Sequence, residues 1–150
     1  YTAKDGADMI LESCGRDLSI VNLSQGTAVA LPAVPDQQQL GSAKVSPSGN
    51  YIAYAVQSGN YDDEKGKVVI APVDGSAAPT MIMSGNGVIY EVLAWVNEET
   101  LLVQESPTSN EPTRIISVRR DGSAMQVIVT NAKFLAKQPD GVIDFYVVGE

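Results

Sequence analysis

Short runs in which apolar and polar residues alternate are the dominant pattern along this chain of 150 residues. The stretch Val45–Val56, VSPSGNYIAYAV, is typical, because a Ser-Pro-Ser-Gly turn leads directly into alternating positions. Alternation with a period of two, bounded by Gly, Pro, Asn or Asp, indicates β-strands. The i, i+3, i+4 spacing of an amphipathic helix is nowhere sustained. The sequence therefore predicts an all-β fold.

Two consecutive groups of four strands are predicted in the middle of the chain, and further strands at both ends. The first group comprises residues 43–46, 51–57, 67–73 and 80–84, and the second comprises 91–96, 100–105, 113–119 and 125–130. Strands are also predicted within 8–31, at 133–137 and at 141–148. The longest loops, at 33–41, 57–66 and 105–112, are polar, and none is typical of a linker between two domains.

These strands recur with a period of about 48 residues, which is the length of a repeat unit. Asp74-Gly75-Ser76 and Asp121-Gly122-Ser123 lie 47 residues apart, Gly26 precedes Gly75 by 49, and Val45 aligns with Trp95 at an offset of 50. Gly accepts positive φ and Asp can bond its own backbone, so these triplets predict hairpin turns. Four antiparallel strands in such a period form a β-propeller blade. We expect a partial blade in 1–32, complete blades in 41–86 and 88–131, and a partial blade in 132–150.

The run Ser-Pro-Ser-Gly-x-x-Ile-Ala-Tyr, followed by an apolar strand and Asp-Gly-Ser, resembles the repeat of TolB-like, WD-type bacterial propellers. Those repeats typically read aromatic-Ser-Pro-Asp-Gly, then Ile-Ala-Phe. Val45 replaces the aromatic residue, whereas Trp95 keeps it without the Pro and Gly that follow. The propeller region of prolyl-oligopeptidase-type enzymes carries similar repeats. The resemblance implies a bacterial protein of the periplasm or cell surface, with an envelope-scaffold role.

About three blades' worth of strands is fewer than the four to eight blades of a closed propeller. An open arc would leave apolar blade faces in water, each larger than the few hundred Å² that a monomer tolerates. Two arrangements would cover these faces. In the first, the chain is a segment of a longer propeller. In the second, two copies of the chain close a six-bladed ring about a two-fold axis. Because Tyr1 falls within a blade, the sequence favours the segment.

The charge of the chain excludes some classes of partner. Ten basic and eighteen acidic residues give a net charge of −8, and no basic cluster exceeds Arg119-Arg120. Such a chain repels nucleic acid and anionic lipid. No apolar run approaches the ~18 residues that span a bilayer, so membrane insertion is not expected.

Catalytic chemistry is not predicted within these residues. The chain has no histidine and no G-x-S-x-G motif, and Cys14 is its one cysteine, so no disulfide can form within the chain. Without a histidine partner, Cys14 is interpreted as a small buried residue. The run GNGVIY at 85–90 begins like a dinucleotide loop but lacks the third Gly and a following helix. We expect no catalytic residue and no cofactor.

Two kinds of binding site remain as candidates. Asp62, Asp63 and Glu64 lie together at a predicted hairpin tip, where three carboxylates could hold Ca²⁺. Adjacent carboxylates in a strand point apart, however, so a solvated charged tip is favoured over a metal site. Tyr61 and Trp95 are the aromatic candidates for binding, although Trp95 is also expected to pack between blades. Tyr51 and Tyr54 differ by an odd number and therefore face opposite sides of their strand.

Three functional hypotheses follow. The first is a non-catalytic propeller segment that binds another protein or a cell-envelope component. The alternative is the substrate-gating propeller of a larger prolyl-oligopeptidase-type hydrolase whose catalytic domain lies outside these residues. The third is a glycan- or Ca²⁺-binding module. Because fold alone is a poor guide to function, the sequence leaves the partner open.

Overall fold

The protein forms antiparallel β-sheets, as a computed structural model shows for residues 9–14, 17–22, 26–30, 38–58, 65–137 and 143–147. These residues contain strands and turns but no helix, which confirms the predicted all-β class. It follows that none of them lies in a helix long and apolar enough to cross a membrane. The first sheet contains β1 (Met9–Cys14), β2 (Asp17–Asn22) and β3 (Thr27–Ala30). The last pairs β12 (Ala132–Lys137) with β13 (Ile143–Val147).

Two four-stranded sheets lie between them, and in each the spatial order of the strands follows the chain. The first contains β4 (Gln38–Val45), β5 (Tyr51–Ser58), β6 (Lys65–Pro72) and β7 (Thr80–Asn86). The second contains β8 (Val88–Asn97), β9 (Thr100–Pro107), β10 (Arg114–Arg119) and β11 (Gln126–Thr130). All eight of these predicted strands are present, and only Gly87 separates the two sheets.

The first strand of each sheet is longer than the alternation predicts. β4 begins at Gln38 rather than 43, and β8 at Val88 rather than 91. Both strands carry an irregularity, between Leu40 and Ala43 in β4 and between Val92 and Ala94 in β8. A bulge inserts an extra residue and breaks the two-residue period, so the sequence pattern is lost at these points.

The repeated Asp-Gly-Ser triplets form the same turn in both sheets, as predicted. Gly75 and Gly122 have φ values of 69° and 82°, in the left-handed region that Gly adopts without steric cost. In each turn the serine N–H donates to the aspartate Oδ1 at 2.9 Å. These bonds are local, which explains why three residues of sequence suffice to predict the turn.

The main core lies between the two four-stranded sheets. β8 packs on the face formed by β4, β5 and β6. Both sheets contribute buried side chains to one cluster, in which Val68, Val92 and Leu101 have no exposed surface. A fully buried Val or Leu contributes about 1.5–3 kcal/mol, so this interface is a major source of stability.

Each sheet also buries side chains on its opposite face. In the first sheet, Ile52, Tyr54 and Val56 form a separate cluster, while the alternate residues Ala53 and Ala55 belong to the main core. In the second sheet the opposite face buries Leu93, Leu102 and Ile115. Tyr51 packs against the main core, so it faces away from Tyr54 as predicted. Sheets that bury both faces and stack in chain order have the arrangement of propeller blades.

Candidate functional site

Trp95 is the one sequence-predicted binding residue whose side chain the structure describes. It lies in β8 with 3% of its surface exposed, and its indole Nε1 donates to the carbonyl oxygen of Lys44 in the neighbouring sheet at 3.0 Å. Trp95 therefore lies in the core between the sheets, as expected if it packs between blades rather than binding a ligand. Tyr61, Asp62, Asp63 and Glu64 lie outside the described residues, so their binding roles stay predictions. Cys14 is the last residue of β1.

Hydrogen bonds between the sheets join residues about one repeat apart. The N–H of Val92 donates to Ser42 Oγ at 2.6 Å, an offset of 50 residues, and the Trp95–Lys44 bond spans 51. The offset at which the sequence aligns with itself is thus also the separation of residues that meet across the interface. Equivalent residues of neighbouring blades become spatial neighbours because each blade repeats the one beside it.

A third bond of this kind holds the Ser-Pro-Ser-Gly turn. The N–H and the hydroxyl of Ser48 both donate to the carboxylate of Glu98, the hydroxyl at 2.8 Å. Glu98 lies in the turn between β8 and β9, where the second repeat has lost its own Pro and Gly. The repeat pattern did not indicate Glu98 as a contact residue, because Glu98 lies where the second repeat departs from the first.

A groove of about 630 Å³ opens between the sheets, at the end where the turns after β6, β8 and β10 lie. Its apolar lining comes from Ile70, Pro72, Ala77 and Ala78, and its polar lining from Tyr51, Ser76, Thr80, Glu99, Arg120 and Asp121. The two sheets contribute opposite walls. Trp95, the one predicted site residue that the structure describes, is not among the residues that line this groove.

Arg120 links the two walls of the groove. Its guanidinium carbon lies 4.0 Å above the centre of the Tyr51 ring, and its Nη2 donates to Glu99 Oε1 at 2.9 Å. The backbone N–H of Arg120 also donates to the Glu99 carbonyl at 2.8 Å. A cation over an aromatic face contributes about 0.5–2 kcal/mol. Arg120 is therefore held in a defined orientation, with its charge already paired.

Two charged groups of the groove, Arg120 and Asp121, keep their charges near neutral pH. Burial lowers the pKa of Arg120, but its contacts with Tyr51 and Glu99 outweigh burial and raise that pKa overall. The hydroxyl and N–H of Ser123 donate to Asp121 Oδ1 at 2.6 and 2.9 Å and hold the pKa of Asp121 below its usual value. The groove thus presents fixed charges of both signs beside small apolar side chains.

A second polar cluster lies at the opposite end of the sheets. Glu105 is 7% exposed, accepts a bond from Tyr90 Oη at 3.2 Å and forms an ion pair with Arg114. Burial, followed by the charge of Glu105, raises the pKa of Tyr90 to about 12. A Cβ placed on Gly66 or Gly85 would lie 2.8 Å from the Tyr90 side chain, so both positions require a residue without one.

Neither cluster has the features of a reaction centre. The carboxylate of Glu105 is paired with a guanidinium and a phenol, and Arg120 with Glu99. Neither pair adjoins a nucleophile with a base. In the part of the chain that the structure describes, no three His, Cys, Asp or Glu residues are grouped to hold a metal ion. What these residues do is line the groove and hold the two sheets against each other.

Solved structures with the same fold include two lyases and a peptidase. An oligogalacturonate lyase in complex with manganese superposes with a TM-score of 0.72 at 13% identity, over 100% of this chain and 46% of that chain. The oligogalacturonate lyase of Vibrio parahaemolyticus gives 0.72 at 10% identity, over 98% and 46%. A puromycin-hydrolyzing peptidase of Mycobacterium tuberculosis gives 0.63 at 20% identity, over 89% and 23%.

These neighbours contain β-propeller domains, and at such identities the likeness shows the fold alone. The stacked sheets are therefore blades of a partial β-propeller. This chain spans about half the length of either lyase and about a quarter of that of the peptidase. No protein-family model and no curated protein sequence matches the chain. The resemblance to TolB-like repeats therefore stays a prediction.

Proposed function

We propose that this chain is a non-catalytic propeller segment that binds an extended segment of another protein in the groove between its two complete blades. The observation that supports this is the groove itself, which combines small apolar side chains with fixed charges of both signs. Ala77 and Ala78 leave room for a peptide backbone, while Ser76 and Thr80 offer hydroxyls to its polar groups. A partner in the periplasm or at the cell surface of a bacterium fits the TolB-like resemblance.

Selection from a library of displayed peptides, followed by calorimetric titration, tests this proposal. Ala78 is an exposed residue on the groove wall, so Ala78→Arg fills the groove without changing the core. The matched control is Ser109→Arg, on an exposed loop at the opposite end of the sheets. We expect selected peptides to bind Ala78→Arg at least tenfold more weakly, and Ser109→Arg as the original chain does. Equal binding to all three chains, or no selected peptide, would contradict the proposal.

The second candidate is the substrate-gating propeller of a larger hydrolase. It is favoured by the likeness to part of a peptidase chain, of which this chain covers 23%. The complete reading frame of the gene discriminates between the two. An α/β domain with a G-x-S-x-G motif outside residues 1–150 would favour the hydrolase. A secretion or lipoprotein leader without such a domain would favour the scaffold.

The Ca²⁺-binding hypothesis for Asp62, Asp63 and Glu64 is tested separately. Calorimetric titration with Ca²⁺ should show uptake that is lost when Asp62 and Asp63 are both changed to Asn, if the three carboxylates form a site. Absence of binding heat, or heat that the double variant retains, would exclude a Ca²⁺ site at these three carboxylates.

A further inference from the structure

The outermost strands of the two complete blades contain equivalent bulges. In β7, Ile82 is the extra residue, because Met83 pairs with Val68 and Met81 with Val69. In β11, Ile128 is the extra residue opposite Ile115 and Ile116. The two isoleucines therefore occupy the same place in consecutive repeats, 46 residues apart.

The surroundings of these two isoleucines differ. Ile82 is 8% exposed, whereas Ile128 is 48% exposed. The residues that precede them do not differ in this way, since Met81 is 54% and Val127 is 45% exposed. The bulged residue is thus buried in the first complete blade and exposed in the second, whereas the residue before it is exposed in both.

Ile82 is covered by the turn between β10 and β11 of the following blade. A Cβ placed on Gly122 would lie 3.1 Å from the carbonyl oxygen of Ile82 and 3.6 Å from its Cβ. The backbone of the turn therefore rests directly on the bulge. Gly122 permits this approach because it has no side chain and accepts the positive φ of the turn.

The bulge at Ile128 has no such cover among the described residues. With Met125, which is 53% exposed, Val127 and Ile128 form an apolar surface that we call the outer patch. Three of the five large apolar side chains that are exposed in the described part of the chain belong to this patch. Clustered exposure of this kind marks an interaction site.

A turn of the complementary kind lies in the first sheet. Gly26, between β2 and β3, occupies the place in the repeat that Gly75 and Gly122 occupy, and it has a φ of 64°. No described atom lies within 4 Å of a Cβ placed on Gly26. Among the described residues, the bulge at Ile128 thus lacks a covering turn, and the Gly26 turn lacks a bulge beneath it.

We propose that the outer patch borders an interface between two copies of this chain, in which the Gly26 turn of one copy covers Ile128 of the other. Val127 stays exposed at the rim of this interface, as Met81 does within the chain. The contact would reproduce the one between Gly122 and Ile82 within the chain. Charge favours this site, because residues 26–30 and 126–130 contain no charged side chain in a chain of net charge −8. Two acidic copies can therefore meet at these segments without placing like charges against each other. A head-to-tail contact of this kind closes a ring when the rotation that relates one copy to the next is a whole fraction of a full turn.

Light scattering coupled to gel filtration tests the interface on the 150-residue chain, over a hundredfold range of concentration and at low and high salt. Ile128→Asp places a charge in the contact, and Gly26→Asn adds a side chain while tolerating positive φ. Val127→Asp is the matched control, because its equivalent Met81 stays exposed beside a docked blade. Thermal unfolding of each variant verifies that the blades remain folded.

We expect the unmodified chain and Val127→Asp to associate, and each of the other two variants to raise the dissociation constant at least tenfold. A chain that is monomeric over the whole range would overturn the proposal, as would association that survives Ile128→Asp. An equal loss of association in Val127→Asp would also overturn the proposal. In the contact between Gly122 and Ile82 within the chain, the residue equivalent to Val127 stays exposed. These outcomes do not depend on whether a peptide binds in the groove.

Discussion

Replacing Tyr90 by Phe removes one hydroxyl from the interface between the two complete blades and leaves its packing intact. The ring of Tyr90 lies against Gly66 and Gly85, and its side chain is 4% exposed. Phe fills the same space. The change therefore isolates the bond from Tyr90 Oη to Glu105 Oε2, which is 3.2 Å long. Arg114 remains paired with Glu105 in the variant.

The structure predicts two effects of different size. Near pH 7 the lost bond to a charged acceptor should lower the free energy of unfolding by about 1.5 kcal/mol, the lower end of the range for such bonds. The alkaline effect is larger. The pKa of Tyr90 is raised from 10.0 to about 12, mainly by burial. Two units correspond to about 3 kcal/mol of stability.

The direction of the alkaline effect follows from which state loses its proton first. In the unfolded chain Tyr90 ionises near pH 10, whereas in the folded chain it stays protonated until about pH 12. The stabilisation is therefore complete below pH 10 and is lost as the pH rises from 10 to 12. Phe cannot ionise, so this part of the loss should be absent in the variant.

Urea unfolding at intervals from pH 7 to pH 12 measures both effects, with the fluorescence of the buried Trp95 as the signal. Burial also raises the pKa of Tyr54, so both chains lose some stability in alkali and the difference between them is the quantity of interest. Glu105→Gln is a second variant, which removes the charge beside Tyr90. It should lower the pKa of Tyr90 in the folded chain, so that the alkaline loss of stability ends below pH 12 and is smaller. Parallel curves for the original chain and Tyr90→Phe above pH 10 would refute the reasoning.

Three further substitutions test the contacts between the blades, each by the urea midpoint at pH 7 with far-UV circular dichroism as the signal. Trp95→Phe should cost about 1–3 kcal/mol, because the carbonyl of Lys44 loses its indole donor; an unchanged midpoint would show that this bond adds nothing. Glu98→Ala should cost about 1 kcal/mol through the Ser48 turn, whereas Glu111→Ala, on an exposed loop, should cost less than about 0.5 kcal/mol. Gly122→Ala should cost about 1–3 kcal/mol, since φ is 82° and the added Cβ meets backbone; a neutral result would contradict the close approach.

The local elements of this protein follow from the sequence alone. β5 was predicted at 51–57 and spans Tyr51–Ser58, and both Asp-Gly-Ser triplets form the expected turns. Alternation and turn chemistry act over a few residues, so they can be identified without knowing what packs on the strand. The repeat then predicts the stacking of blades, because a sheet that is apolar on both faces needs a neighbour on each.

The candidate site was not predictable in this way, because its residues are brought together only by the stacking. Tyr51 and Arg120 are 69 positions apart in the sequence, and nothing in either segment indicates that a guanidinium will cover the ring. Glu98 contacts Ser48 from a turn that departs from the repeat. For Trp95, sequence reasoning left the core and a binding surface both open, and the neighbouring sheet decides for the core.

The sequence by itself therefore determined the strands, the turns and the repeat that makes a propeller. Tertiary structure alone decided which turn covers which bulge, where the groove opens and which charges are paired. The physical reason is that hairpins depend on the conformational preferences of adjacent residues. The contacts between blades depend instead on the relative position of two sheets, which many side chains set together and no single motif encodes.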